Sequence, residues 1–365
     1  MSATSIQIGK VMGIPIRLHI TFLLILPVFA WIFASNTPMF GFADVAPASL
    51  RYALALSTAI LLFTCVLLHE LGHSYIALKH GSKIQSITLF LFGGVSSMEE
   101  IPRNPKVEFR MAFAGPAVSL LIGAVLLTIY ELFKPISLPS DPYLRLIWLV
   151  GYINITLFIF NIIPAFPMDG GRLLRSWLAG RMPYIKATQT AAGIGKMFAI
   201  LMGIFGFLTA AIGGFWFILI AFFIYIGASE EEKATAVNVI LEGVKIKDIM
   251  SRDVKTVNSG MSVEELVEIM FKLKHMGYPV VDNGELNGIV TFTDVLKVPK
   301  EERKNVKVSQ IMTKELITCK EDDDAVNALK LMSTNNIGRV IIKDDKKMTG
   351  IVSRTDILRA VQLLE

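Results

Sequence analysis

The stretch Cys65-Val66-Leu67-Leu68-His69-Glu70-Leu71-Gly72-His73 decides how this chain is read. It lies in an apolar run from about 52 to 78, long enough for a bilayer, which needs roughly 20 apolar residues per helical span. His69 and His73 are four residues apart, so on a helix both imidazoles project from one face. Two such imidazoles can share a zinc ion, and Glu70 then lies beside the metal's water as general base. The bland alternative is a set of unpaired polar residues in a span. Ionisable groups there cost about 2.5–3.5 kcal/mol each on insertion scales. Three within five residues call for a compensating cation.

Catalytic zinc takes three protein ligands and keeps one position open. The third is expected near the end of the fourth apolar run, at Asn161-Ile162-Ile163-Pro164-Ala165-Phe166-Pro167-Met168-Asp169-Gly170-Gly171. Pro164 and Pro167 remove backbone donors and unwind the helix. Unwound backbone at membrane depth is tolerated only where it lines a protein cavity. Asp169 follows at a depth that matches the two histidines and is the best third ligand; its bland alternative is a helix cap before the two glycines.

Further out, the chain divides in character. Its 365 residues are 53% hydrophobic, and up to Ser229 they form long apolar runs. Candidate spans are 18–35, 52–78, 108–133, 144–163, 188–211 and 213–228. The expectation is a multi-span α-helical membrane protein of about six transmembrane helices, residues 1–229, in the cell membrane. A linker over 230–243 and a soluble α/β module follow. Lys10 and Arg17 precede the first run, but no signal-peptidase-like site follows it, so the run is read as a retained span. Lys79, Lys83, Arg103, Lys106 and Arg110 fill one loop, and Arg172, Arg175, Arg181 and Lys186 another; the alternate loops carry only Arg51 and Lys134. The positive-inside rule then places both termini and the soluble module in the cytoplasm. The net charge of +5 is not clustered as a nucleic-acid stripe would be, and two cysteines, Cys65 and Cys319, make no disulfide framework.

The metal motif in the second span, with Asn161-x-x-Pro164-x-x-Pro167-x-Asp169-Gly170 downstream, resembles the site-2 protease family of intramembrane metalloproteases. The resemblance implies one zinc ion per chain held by His69, His73 and Asp169, with Glu70 catalytic. It implies a catalytic, oxyanion-stabilising amide at Asn161, whose alternative is interhelical hydrogen bonding. Leu91-Phe92-Gly93-Gly94-Val95 matches the place of a membrane-dipping hairpin, whose edge could hold an unwound substrate strand. The plainer reading is a turn. Ala114-Gly115-Pro116 matches a family element, but Ser119 stands where relatives often carry Asn. His19 reads as an interfacial histidine.

The soluble module repeats itself. Ile249-Met250-Ser251 recurs as Ile311-Met312-Thr313, and Asp294 as Asp356, each 62 residues on. A fixed offset marks a duplicated module. It resembles a tandem pair of CBS domains, over 244–298 and 306–365. Gly288-Ile289-Val290-Thr291-Phe292-Thr293-Asp294 and Gly350-Ile351-Val352-Ser353-Arg354-Thr355-Asp356 match the family's nucleotide motif. The resemblance implies ATP or AMP binding through Thr291, Thr293, Asp294, Ser353, Thr355 and Asp356, and pairing of two chains through these bodies. The alternative is that these residues cap helices starting near Val295 and Ile357.

The expected function is zinc-dependent hydrolysis of peptide bonds within transmembrane segments, of single-span or other membrane proteins, modulated by adenine nucleotide. A nucleotide-gated transporter would spread ionisable residues along several spans, and an inactive relative would not need Glu70.

Overall fold

The computed structural model describes residues 5–90, 93–98, 104–136, 141–344 and 347–364. Leu91, Phe92, Arg103 and Glu365 lie outside them. The chain forms two compact units, Met1–Thr235 and Ala236–Glu365.

The first unit runs β1 (Ser5–Val11), β2 (Ile14–His19), α1 (Ile20–Ser35), α2 (Ala48–Lys79), β3 (Ile84–Phe90), β4 (Gly93–Met98), α3 (Pro105–Phe133), α4 (Pro142–Ile162), α5 (Asp169–Ala179), α6 (Tyr184–Leu208) and α7 (Phe215–Ile240). The last of these crosses the unit boundary. Helices α2, α3, α4 and α6 are long and apolar enough to cross a membrane. Helix α1 is apolar but has 16 residues, and α7 pairs an apolar first half with a charged second half. Trp31, Leu121, Phe207 and Leu208 are largely exposed on these helices. Apolar surface on that scale suits lipid rather than water.

The first span begins later than its hydropathy suggests, because Ile14–His19 is a strand. Met12 and Gly13 both have positive φ, which makes the tight two-residue hairpin between β1 and β2. His19 ends β2 and caps α1, its Nδ1 accepting from the Thr21 backbone N–H at 3.3 Å. The sheet order is β1-β2-β3-β4, with β2 and β3 parallel and the other pairs antiparallel. Strand β4 is therefore an edge.

Between α4 and α5 the backbone leaves the helical path. Ala165 N–H bonds Ile163 O at 2.7 Å, and Met168 N–H bonds Ala165 O at 3.1 Å. Ala165, Phe166 and Met168 are nonetheless buried, packed by Ala187, Ala191, Ala192 and Ala199 of α6 and by Ala228 and Ile224 of α7. Small residues let the loop approach those helices closely. A side chain at Gly195 would press on Ala165, and one at Gly227 on Pro167. The segment after the fourth span, read from sequence as a loop, is thus a loop followed by the eleven-residue helix α5.

The second unit runs α8 (Ile246–Ile249), α9 (Val263–Leu273), β5 (Gly277–Asp282), β6 (Glu285–Thr291), α10 (Phe292–Leu296), α11 (Val308–Ile311), β7 (Thr318–Cys319), α12 (Ala325–Thr334), β8 (Arg339–Asp344), β9 (Lys347–Ser353) and α13 (Arg354–Leu364). The two copies exchange their lead-in segments. Ile246 of α8 is buried in the second copy's core with Cys319, Ala328 and Ile357. Val308 of α11 is buried in the first copy's core with Val263, Val280 and Val295. The bridges agree: Ser251 pairs with Ile351, and Thr313 with Ile289.

Candidate metal centre

Helix α2 presents His69 and His73 on one buried stripe, as the four-residue spacing requires. Gly72 allows α3 to approach, since a Cβ there would sit 2.9 Å from Ala114 O. On the facing α3, Gly115 lies directly under the two rings. A methyl at Gly115 would fall on Nε2 of both histidines.

Asp169, the first residue of α5, closes the group. Its Oδ2 lies 3.2 Å from His69 Nε2 and 3.1 Å from His73 Nε2. The two Nε2 atoms are 3.1 Å apart. Three donor atoms thus form a nearly equilateral triangle. Metal–ligand bonds of about 2.0–2.1 Å in a tetrahedral site give ligand–ligand edges of about 3.3 Å. The triangle is close in size to one face of that tetrahedron.

The other ring nitrogen of each imidazole also has a partner, and for His73 that partner fixes the tautomer. His73 Nδ1 lies 2.7 Å from Met111 O. A carbonyl only accepts, so Nδ1 carries the proton and Nε2 presents its lone pair. His69 Nδ1 lies 2.9 Å from Ser119 Oγ. Partners of this kind fix the tautomer and orientation of a metal-binding imidazole. The arrangement fits a cation such as zinc.

Glu70 follows His69 and meets β4. Its Oε2 accepts from Ser96 Oγ at 2.9 Å, and Gly94 packs against its Cγ. Glu70 still groups with His69 and His73, their ligand atoms all within 4.8 Å of one another. Asn161 is near the end of α4, but its Nδ2 donates to Leu157 O of its own helix at 3.0 Å.

In the second unit, Thr291 and Ser353 are helix caps. Thr291 N–H and Oγ1 donate to Asp294 Oδ2 at 3.1 and 2.7 Å, and Ser353 does the same to Asp356 at 2.8 and 2.6 Å. The helices begin at Phe292 and Arg354, three residues before the starts read from sequence. Burial raises the Asp294 carboxyl, but bonds from Thr291 and from Lys297 Nζ at 3.0 Å outweigh it and hold it below the ordinary value. Thr293 and Thr355 are exposed and make no side-chain hydrogen bond among the described residues.

Known proteins share this organisation. The model of peptidase family M50 matches residues 57–140 and 133–202, and that of the CBS domain matches 246–301 and 308–363. A zinc metalloprotease of Methanocaldococcus jannaschii is 41% identical over 361 residues, covering 99% of this chain and 97% of the relative. This chain belongs to the site-2 protease family of zinc metalloproteases. A solved site-2 protease from Methanocaldococcus jannaschii is 43% identical, covering 62% of this chain and 95% of its own, with a TM-score of 0.44. A CBS domain pair solved in complex with 5′-methylthioadenosine and S-adenosyl-L-methionine is 33% identical, covering 33% of this chain and 98% of its own, with a TM-score of 0.31. Membership in this site-2 protease family favours the enzyme over the transporter reading.

Four contributors to the candidate centre were not read from sequence as such: the Met111 carbonyl, Gly115 as ring clearance, Ser96, and Ser119 as a histidine partner. Ser119 carried a signal, since it occupies the family's Asn position. The Met111 carbonyl carried none, because every residue has one.

Proposed function

We propose that this chain cleaves peptide bonds within transmembrane segments of other membrane proteins. His69, His73 and Asp169 hold one zinc ion, and Glu70 is the general base. The triangle of 3.1–3.2 Å between two imidazole nitrogens and a carboxylate oxygen carries the reading. Bound zinc supplies a Lewis acid for a carbonyl oxygen and lowers the pKa of a water to about 7. Glu70 takes the proton of the attacking water on its carboxylate and returns it to the departing amine. Ser96 orients that carboxylate from the hairpin. The edge of β4 receives the unwound substrate strand through backbone hydrogen bonds. For Asn161 to stabilise the oxyanion, its amide must leave Leu157 O and turn toward the site.

Charge distribution supports an orientation with both termini and the second unit in the cytoplasm. In that unit, adenine nucleotide binds through Thr291, Thr293 and Asp294 and through Ser353, Thr355 and Asp356. The exposed hydroxyls suit phosphate, and each Asp, already anchored at a helix start, suits ribose. A bound nucleotide alters activity only through different affinities for two conformations.

The test incubates purified wild type and Glu70→Gln with a single-span substrate, with and without ATP. Product from wild type alone supports the reading, and an ATP effect on its rate supports modulation. Equal product from both removes Glu70 from the chemistry. Absence of bound zinc in the wild type overturns the metal assignment.

A further inference from the structure

Arg175 is 1% exposed and Glu108 0%, at a position remote in sequence from the metal motif. Arg175 Nε donates to Glu108 Oε1 at 2.7 Å, and Nη1 donates to Glu231 Oε1 at 2.6 Å. Tyr184 OH donates to the same Glu108 oxygen at 3.4 Å. The guanidinium carbon sits 5.1 Å from the centroids of both the Phe166 and the Tyr184 rings. One side chain of α5 therefore joins α3, α6 and α7, together with the loop before α5.

A buried ion pair is a poor source of stability, because desolvation offsets the attraction, and well-packed apolar replacements are often as stable. Its best-attested use is to fix a register. The register here concerns Asp169. That residue opens α5, six positions before Arg175 and about 9 Å along the helix axis. The chain entering Asp169 is irregular, and its cap residue Met168 offers no side-chain bond. Phe166 precedes Asp169 by three residues and lies against the Arg175 guanidinium. Arg175 thus holds the segment on both sides of Asp169.

We propose that Arg175 is a positioning residue for the metal centre, acting through α5 and Phe166 to set the distance of Asp169 from His69 and His73. The proposal rests on the reading of Asp169 as a metal ligand. Partners bonded directly to metal ligands typically contribute 10–100-fold to metal affinity, and a residue acting at one remove is expected at the lower end of that range.

The experiment measures zinc affinity by chelator competition and the visible absorption of the cobalt-substituted full-length protein, with helicity by circular dichroism. The set is wild type, Asp169→Asn, Arg175→Met, Glu108→Met with Arg175→Met, and Arg145→Met. The double variant removes both fully buried charges, leaving only the part-exposed Glu231 without Arg175, and replaces Arg175→Met where the single variant does not fold. Arg145 pairs with Asp44 at the start of α4 and serves as an ion-pair control away from α5. Expected for the Arg175 variants are about tenfold weaker zinc binding and an altered cobalt band with helicity kept, while Arg145→Met keeps wild-type affinity. Wild-type affinity and band in a folded Arg175 variant overturn the proposal. So does an equal loss in Arg145→Met, or unfolding of the double variant, either of which makes the cluster an element of stability. If Asp169→Asn keeps wild-type affinity, the ligand assignment itself fails, and that outcome is separate from the others.

Discussion

Gly115 illustrates how much one missing methyl does at this centre. It sits inside α3, where glycine is about 1 kcal/mol worse than alanine. Its place is explained by the imidazoles of His69 and His73, which occupy the space a Cβ would take. Gly115→Ala is therefore expected to keep or raise helicity while bound zinc per chain falls well below the wild-type content. Metal analysis of the purified variant checks this; wild-type zinc content would show that the rings have room to move. Ser119 acts at the same scale. Its hydroxyl is fully buried and faces His69 Nδ1, at the position where the sequence departs from the family's Asn.

At the scale of elements, helix ends place the candidate residues. Asp169 is delivered by the start of α5 after a loop that two prolines force off the helical path. Asp294 sits in the first turn of α10 and accepts bonds from Thr291 and Lys297. Its carboxyl is held below the ordinary range in the folded protein. A lowered folded value means that the stabilisation is fully present above the unfolded value, near pH 4. It is lost as pH falls through the lower folded value. Wild type is thus expected to lose stability in the second unit below about pH 4 more steeply than Asp294→Asn, which has no charge to protonate. Thermal unfolding from pH 3 to pH 7 checks this, and parallel profiles would count against it.

At the scale of the whole molecule, the duplication in the second unit is an exchange rather than two beads. Ile246 precedes the first copy in sequence yet is buried in the core of the second. Ile246→Ala is expected to cost about 2–5 kcal/mol, felt at the distant second copy. Cys319 reports it. Burial, with Asp323 nearby, pushes that thiol up to about 11, so alkylation at pH 8 is slow in the wild type. The variant is expected to alkylate several-fold faster at Cys319, read by peptide mass spectrometry. An unchanged rate would mean that the second core does not depend on the exchanged segment.

The sequence by itself determined what is periodic or local. The spacing of His69 and His73, the prolines before Asp169, the 62-residue repeat and the long apolar runs are all written in neighbouring residues. The structure brings His69, His73 and Asp169 together and keeps Glu70 beside them. Tertiary structure alone decided which distant groups support them. Ser119 reaches His69 across 50 residues, and Glu108 reaches Arg175 across 67. Strand β2 ends where the first apolar run begins, and its place inside a sheet was not legible because one of its two partners, β3, lies some 70 residues on. Residues Leu91 and Phe92 of the hairpin lie outside the described part. Local spacing fixes which face a side chain takes, whereas what meets that face depends on how the helices pack, and no single stretch of chain encodes that.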